Sequence, residues 1–429
     1  MSSQHSNTDA LILDVHEKPK SYWKWALLSL QHVFGMFSAT ILVPLLTGLD
    51  TGVALVASGV GTLIYIAITK RKVPIYLGSS FAYIAAITFA LENGGEGSTF
   101  TALMGIGLVY AVVSTILIFT GTGWLNRLLP PVVIGPVIIV IGLNLASVAV
   151  DSLGISEGNS GGLMIGIVTF TAAVLIALRG KGFFRIIPFM LAILIGYGFS
   201  VFTGDVNLVE TFTGVSVFTV PSFTFLGSYG LDFSMIPLFL PLAFVTIAEH
   251  IGDHKVLGEI THKDYVNDPG LSRTLLGDGV ATFASAMMGG PANTSYGENT
   301  GIIAMNRVAS VHVIIGAACI AILLGFSGHV QAFILSIPGG IIGGITVILY
   351  GFIAANGIKV LLREQTDMSD SRNLIIISVI LVIGLGGAVI EINDVSSVSG
   401  MALATTAGIF LNLVLPKAKH KETLSKQEL

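Results

Sequence analysis

Lys72-Val-Pro-Ile-Tyr-Leu-Gly-Ser-Ser-Phe-Ala-Tyr83 and Gly289-Gly-Pro-Ala-Asn-Thr-Ser-Tyr-Gly-Glu-Asn-Thr-Gly301 are the two stretches on which the fold turns. Both mix Pro and Gly with hydroxyl or amide side chains inside otherwise apolar surroundings. Pro removes a backbone donor and Gly weakens a helix, so neither stretch begins as a good helix. At membrane depth, unwound backbone survives only when buried in protein or lining a wet cavity. A matched pair of interrupted spans in the two halves of a chain points to a transport site. The plain alternative makes both stretches loops and leaves twelve spans. Glu92 and Glu96 would then share a side with Lys70, Arg71 and Lys72, against the charge pattern described below.

Around these stretches the composition is that of a membrane protein. The 429 residues are 53% hydrophobic and 11% charged, where a soluble domain is about 25% charged. Mean hydropathy is +0.86. With 51 glycines besides, the chain can supply on the order of fourteen spans of ~20 residues each. Soluble, disordered and collagen-like classes are excluded. Long continuous apolar runs argue against an outer-membrane barrel, whose strands alternate. The single cysteine, Cys319, excludes an intrachain disulfide and a multi-cysteine metal site. The net charge of −4 gives no reason to expect nucleic acid as a partner. Residues 1–24 read as a cytoplasmic tail and not as a signal peptide.

The charges set the topology. Apolar segments fall near 25–48, 53–69, 74–91, 99–120, 131–150, 162–178, 187–203, 233–254, 274–289, 294–306, 308–326, 332–354, 373–390 and 398–415. Every second gap is basic: Lys70 to Lys72, Arg127, Arg179 to Arg185, Lys255 to Arg273, Arg307, and Lys359 to Arg372. Both tails are basic too. The intervening gaps hold Asp50, Glu92, Glu96, Asp151, Glu157, Asp205, Glu210, Asp232, Glu391 and Asp394, without Lys or Arg. Cytoplasmic loops retain Lys and Arg, so both termini are expected in the cytoplasm and the number of spans is even. Seven spans precede the long outer loop at 204–232 and seven follow it. Seven is odd, so the second half enters with opposite orientation, as in an inverted repeat. The sequence predicts an all-α polytopic protein of the cytoplasmic membrane with fourteen segments in a 7+7 arrangement.

Two carboxylates stand apart from the loops. Glu249 follows the uncharged run 233–248, and Glu298 sits in the second interrupted span. An ionised carboxylate at a helix centre costs roughly 2.5–3.5 kcal/mol on insertion scales and usually marks a substrate or proton pathway. Glu249 and Asp253 are four residues apart on one helical face, with His250 and His254 on the adjacent one. Two such carboxyls disfavour double ionisation and can share one proton. The plain alternative places this cluster at the cytoplasmic end of its span, beside Lys255. The spacing of His250 and His254 suits a metal pair, but no third ligand or His-Glu-x-x-His general base accompanies it, so no metal or other cofactor is expected. His32 is a polar residue in an apolar helix. It suits a hydrogen bond inside the bundle or the orientation of a carboxylate. A small planar polar solute fits this chemistry: carboxylates accept its ring N–H groups, and amides freed by unwinding donate to its carbonyls. Phe81, Tyr296 and Tyr350 are placed to stack on such a ring or simply to pack.

At Gln31–Pro44 (QHVFGMFSATILVP), Pro74–Tyr83 (PIYLGSSFAY), Ala248–Gly252 (AEHIG), Asn293–Arg307 (NTSYGENTGIIAMNR), Leu349–Gly351 and Gly400–Gly408 (GMALATTAG) the sequence resembles the nucleobase/ascorbate transporter family. Its bacterial uracil permeases are the nearest group. The resemblance implies a core domain of spans one to four (25–125) and eight to eleven (233–330). It implies a gate domain of spans five to seven (126–232, with the outer loop) and twelve to fourteen (331–415), the tails being 1–24 and 416–429. Short antiparallel strands are implied in the third and tenth segments. Glu249 and Glu298 would bind the base through their side chains, Phe81 and Gly297 through backbone N–H groups, while Ala39, Tyr296 and Tyr350 enclose it. Proton coupling would involve Glu249, Asp253, His32 and Asn299, and a homodimer through the gate domain is suggested. Glu298-Asn299 is the form of the signature found in uracil permeases. Two positions depart from the pattern: Asp253 stands where those permeases usually carry His, and Asn306 where the signature usually has Thr.

The expected function is therefore alternating-access import of uracil with a proton. A xanthine-type purine permease is the near rival. An anion exchanger of similar architecture would want a cation facing its substrate, and no Lys or Arg lies inside a span. An enzyme lacks a nucleophile or metal constellation, and a passive channel would give flux without accumulation.

Overall fold

The computed structural model describes residues 11–155, 160–388, 390–393, 396–398 and 400–416. Residues 1–10 and 417–429 of the expected tails, with the loop acids Glu157 and Asp394, lie outside the described residues. The first half contains α1 (Tyr22–Thr47), α2 (Thr51–Ile68), β1 (Leu77–Ser79), α3 (Ile84–Thr120), α4 (Gly123–Leu128), α5 (Pro131–Asn144), α6 (Ala146–Ser152), α7 (Ser160–Arg179), α8 (Pro188–Thr203) and α9 (Leu208–Phe212). The second contains α10 (Ile236–Thr261), α11 (Leu271–Met287), β2 (Asn293–Ser295), α12 (Gly297–Asn306), α13 (Val311–Gly325), α14 (Gly328–Leu335), α15 (Gly339–Arg363), α16 (Ser371–Leu385), β3 (Ile390–Asn393), β4 (Ser396–Val398) and α17 (Gly400–Val414).

Fourteen segments are present among the described residues. Helix α3 supplies two of them, because Gly95 adopts a φ of 73° and kinks it between the third and fourth. Segments three and ten are each a strand followed by a helix: β1 leads into α3, and β2 into α12. Three boundaries differ from the sequence reading. The eighth helix continues to Thr261, a full two turns beyond residue 254, because no Pro or Gly pair stops it. The twelfth span is not 332–354. Pro338, with a φ of −61°, interrupts the run, ends the short α14 and caps the start of α15. A second antiparallel hairpin, β3–β4, lies between α16 and α17, where only a loop was expected.

Packing divides the helices into two groups. In one, α11 lies against α2 and α3, α13 against α1 and α2, and α10 against α3. In the other, α15 lies against α5, α6 and α7, and α16 against α5 and α17. Contacts of α10 with α17 and α5, and of α1 with α8, join the groups. The contacts also repeat by symmetry. Exchanging segment two with nine and four with eleven turns the α2–α13 contact into the α11–α3 contact. Both rest on glycine. A Cβ on Gly59 would stand 2.5 Å from the Ala318 carbonyl oxygen, and one on Gly279 would stand 2.8 Å from that of Gly107. An antiparallel pairing of β1 with β2 is what a two-fold axis between the halves requires of its central segments.

Small residues let these helices touch at the backbone, so enlargement there is overpacking. Gly279→Val brings new atoms against Tyr110 as well, whose Cβ is 2.5 Å from the Cβ position. It is expected to destabilise the purified protein by about 1–3 kcal/mol, read as a lowered melting temperature. Gly198→Val, with nothing within 4 Å of its Cβ position, is the control and should melt as wild type.

Candidate functional site

Pro74 and Pro291 each precede a strand, and both strands are buried throughout. Their pairing is antiparallel in the register Leu77 to Ser295, Gly78 to Thr294 and Ser79 to Asn293. Flanking bonds extend it: Tyr296 N–H donates to the Tyr76 carbonyl at 3.0 Å and Ser80 N–H to that of Ala292 at 2.9 Å. Each unwound segment thus satisfies the other's backbone. The chain then turns into a helix on each side, at Phe81 and at Gly297, and the first amides of those helices have no intrahelical acceptor. Partial positive charge accumulates there, where Glu298 occupies the first turn of α12.

Helix α10 passes beside this junction, in contact with both β2 and α12. Glu249 lies near the middle of its 26 residues and is exposed, as is Gly252, although Thr246, Ile247, His250 and His254 are buried. Gly297 is exposed and Glu298 half-exposed. No heavy atom lies within 4 Å of the Cβ position of Gly252, Gly297 or Gly301. An open crevice therefore separates α10 from the start of α12, and the two glutamates border it. The cluster sits mid-helix and not at a solvated helix end.

Asp253 accepts a hydrogen bond from the Ser295 hydroxyl at 2.5 Å, which ties α10 to β2. Among the described residues it makes no hydrogen bond to Glu249. The two carboxyls nonetheless lie within electrostatic range of one another. Both carboxylates lie within electrostatic range of Glu298 and of Asp278.

Asp278 was missed. It lies inside the predicted ninth span, fully buried on α11, and its Oδ2 pairs with His250 Nδ1 at 2.9 Å. Reading acids only by the gaps between spans passed over it, although its place within 274–289 was signal enough. Next to this pair, His254 donates Nδ1–H to the His250 carbonyl at 2.6 Å and accepts at Nε2 from the Tyr65 hydroxyl at 2.5 Å. Both rings are thus oriented by protein partners, at Nδ1 of His250 and at both nitrogens of His254.

The other expected site residues take definite places. His32 is buried and faces an amide, not a carboxylate: Asn299 Nδ2 donates to its Nδ1 and to its carbonyl, each at 3.1 Å. Asn299 Oδ1 is buried without a partner. Tyr296 lies over Gly78, where a Cβ would stand 2.5 Å from its ring. Its hydroxyl donates to the Ser79 carbonyl at 2.9 Å and accepts from Thr40 at 3.3 Å. It braces the strand pair. Phe81 is half-buried, and Ala39 and Tyr350 belong to the same hydrophobic cluster as Tyr296. The Tyr350 hydroxyl, like the Ser80 hydroxyl, is buried and unpartnered.

The family model described as "Permease family" matches residues 23–392. The chain belongs to the nucleobase/ascorbate permease family. It is 44% identical to a uracil permease of Bacillus caldolyticus over 94% of this chain and 95% of that one. It is 43% identical to the uracil permease of Bacillus subtilis over 97% and 98%, and 41% identical to that of Escherichia coli K12 over 90% of each. In fold it resembles the transmembrane domain of the cyanobacterial bicarbonate transporter BicA, with a TM-score of 0.63 at 12% identity over 93% of this chain and 99% of that one. It also resembles SLC26A9, with a TM-score of 0.66 at 14% identity over 92% and 66%. This permease is a multi-pass membrane transporter of 7+7 architecture and not an enzyme.

Removing one partner of a buried hydrogen-bonded pair leaves the other unsatisfied, typically at about 1–3 kcal/mol. His250→Ala is therefore expected to lower the stability of the permease by this amount, and His250→Ala with Asp278→Ala much less. A double-mutant cycle of melting temperatures reads the difference.

Proposed function

We propose that this permease imports uracil together with a proton across the cytoplasmic membrane, with both termini on the cytoplasmic side. The observation that carries the proposal is the pair of glutamates, Glu249 and Glu298, on either side of the crevice beside the free amides of the strand–helix junctions. Uracil carries two ring N–H donors and two carbonyl acceptors on one planar edge set. The glutamates accept from the N–H groups, and the amides of Phe81 and Gly297 donate to the carbonyls. Tyr350 and Ala39 close the ring in, with Tyr296 behind the strands. The naming of three relatives at 41–44% identity as uracil permeases supports the same substrate.

The proton is assigned to the Glu249 and Asp253 carboxyls, with His32 and Asn299 holding α1 to α12 beside them. Low dielectric disfavours the charged form of such groups, so binding of a neutral solute and of a proton reinforce each other. The helix group containing α1, α2, α3 and α10 to α13 serves as the core domain, and the group containing α5 to α8 and α15 to α17 as the gate. Movement of one against the other, across the thin set of contacts between them, exposes the crevice to alternate sides. A homodimer would form through the gate.

Uptake of radiolabelled uracil into proteoliposomes tests this. An inward proton gradient should drive accumulation that excess xanthine leaves unchanged. Inhibition by xanthine would move the substrate to purines, and flux without accumulation would remove the coupling. Glu298→Gln should weaken uracil binding at least tenfold, a loss of about 1.4 kcal/mol. Asp253→Asn should keep binding and facilitated exchange but lose accumulation.

A further inference from the structure

The segment Leu11-Ile-Leu-Asp-Val-His-Glu17, which precedes the first helix, is built into the bundle. Ile12 N–H donates to the Arg307 carbonyl at 2.7 Å, while Ala309 N–H donates to Leu13 and Val311 N–H to Val15, each at 2.9 Å. Leu13 and Val308 form a parallel bridge. The Ser310 hydroxyl donates to the Glu17 carbonyl at 2.5 Å. These bonds fasten the segment along the α12–α13 connection. On its other side, Lys263, two residues after α10 ends, donates to Asp14 at 2.7 Å. That ammonium holds the Asp14 carboxyl below its usual range, so the contact is ionised at neutral pH. Val15 is fully buried, in the cluster that also holds Leu257 and Tyr265 from the α10 side and Ile303 and Val311 from the α12 side.

The segment thus spans the ends of the two helices that carry the glutamates. Arg307, the C-cap of α12, lies nine positions beyond Glu298, and Thr261, the end of α10, twelve beyond Glu249. At 1.5 Å per residue these are stiff arms of about 14 and 18 Å. Whatever fixes their far ends fixes the width of the crevice between the carboxylates. We propose that residues 11–17 act as a strap that sets the spacing of Glu249 and Glu298, with Val15, Asp14 and Lys263 as positioning residues for the substrate site. The proposal rests on the reading of that crevice as the uracil site.

Two measurements on the full-length purified permease test it: the Kd for uracil, and hydrogen exchange of the α12 amides, which needs no substrate. Asp14→Lys and Lys263→Asp should each weaken uracil binding roughly two- to fivefold, as loss of an exposed ion pair allows, and speed exchange in α12. The two together restore the pair and should restore both readouts. Val15→Ser, which keeps the backbone bonds but empties the buried position, should also weaken binding and loosen α12. Wild-type affinity and wild-type exchange in the single variants would overturn the strap. So would a swapped pair that fails to recover, since that marks a structural role only. If wild-type protein binds no uracil, the substrate reading falls, and exchange in α12 still decides whether the strap holds that helix.

Discussion

Backbone hydrogen bonding at membrane depth is the constraint from which this structure follows. A peptide group left unpaired in hydrocarbon costs several kcal/mol, and two stretches of this chain cannot be helical because of Pro74, Pro291 and the glycines around them. Three residues from each half, Leu77–Ser79 and Asn293–Ser295, resolve the problem by pairing with each other. Neither half could do so alone. The inverted repeat is therefore a requirement of the interrupted spans: each supplies the partner that the other lacks. Gly78 is needed at the centre of the pair, because the ring of Tyr296 occupies the space of a Cβ there.

Ending two helices in the middle of the bundle creates the chemistry. Their first amides lack intrahelical acceptors, and a carboxylate in the first turn of α12 is favoured by the field of that helix's amides. That accounts for Glu298 at a depth where a charge on a continuous helix would have no compensation. Glu249 has a different warrant. It stands on an unbroken helix and is tolerated because it faces the crevice, while its neighbour His250 faces the packed interior.

Much of this was legible in the sequence. The alternation of basic and acidic gaps was enough to count the spans, and the paired Pro/Gly interruptions were enough to locate the two unwound segments that pair as strands. What escaped has physical causes. The span boundary at Pro338 escaped because hydropathy is continuous across it, and only the restricted backbone of proline stops the helix. Asp278 escaped because its hydrogen-bond partner, His250, is 28 positions away in the chain. That is a tertiary fact which a scan of gaps between spans does not contain. The partners of His32 and Tyr296 were left open for a related reason. Either side chain suits several roles, and only the three-dimensional neighbours, Asn299 in one case and Gly78 with Ser79 in the other, select among them.

The arrangement around α10 shows how one helix can serve two electrical purposes. Successive residues on a helix point about 100° apart, so Glu249 and His250 look in different directions. On the buried side, Asp278, His250, His254 and Tyr65 form a chain of contacts at 2.9, 2.6 and 2.5 Å that leaves two polar atoms, Asp278 Oδ1 and His250 Nε2, without partners. On the open side, Glu249 is exposed and Asp253 has the Ser295 hydroxyl. A buried network so nearly satisfied is rigid, because moving any member exposes another to an apolar surround. An open carboxylate has no such tie. In the proposed import cycle, a fixed back and an exposed front of the helix would let the site exchange a ligand and a proton without the bundle coming apart.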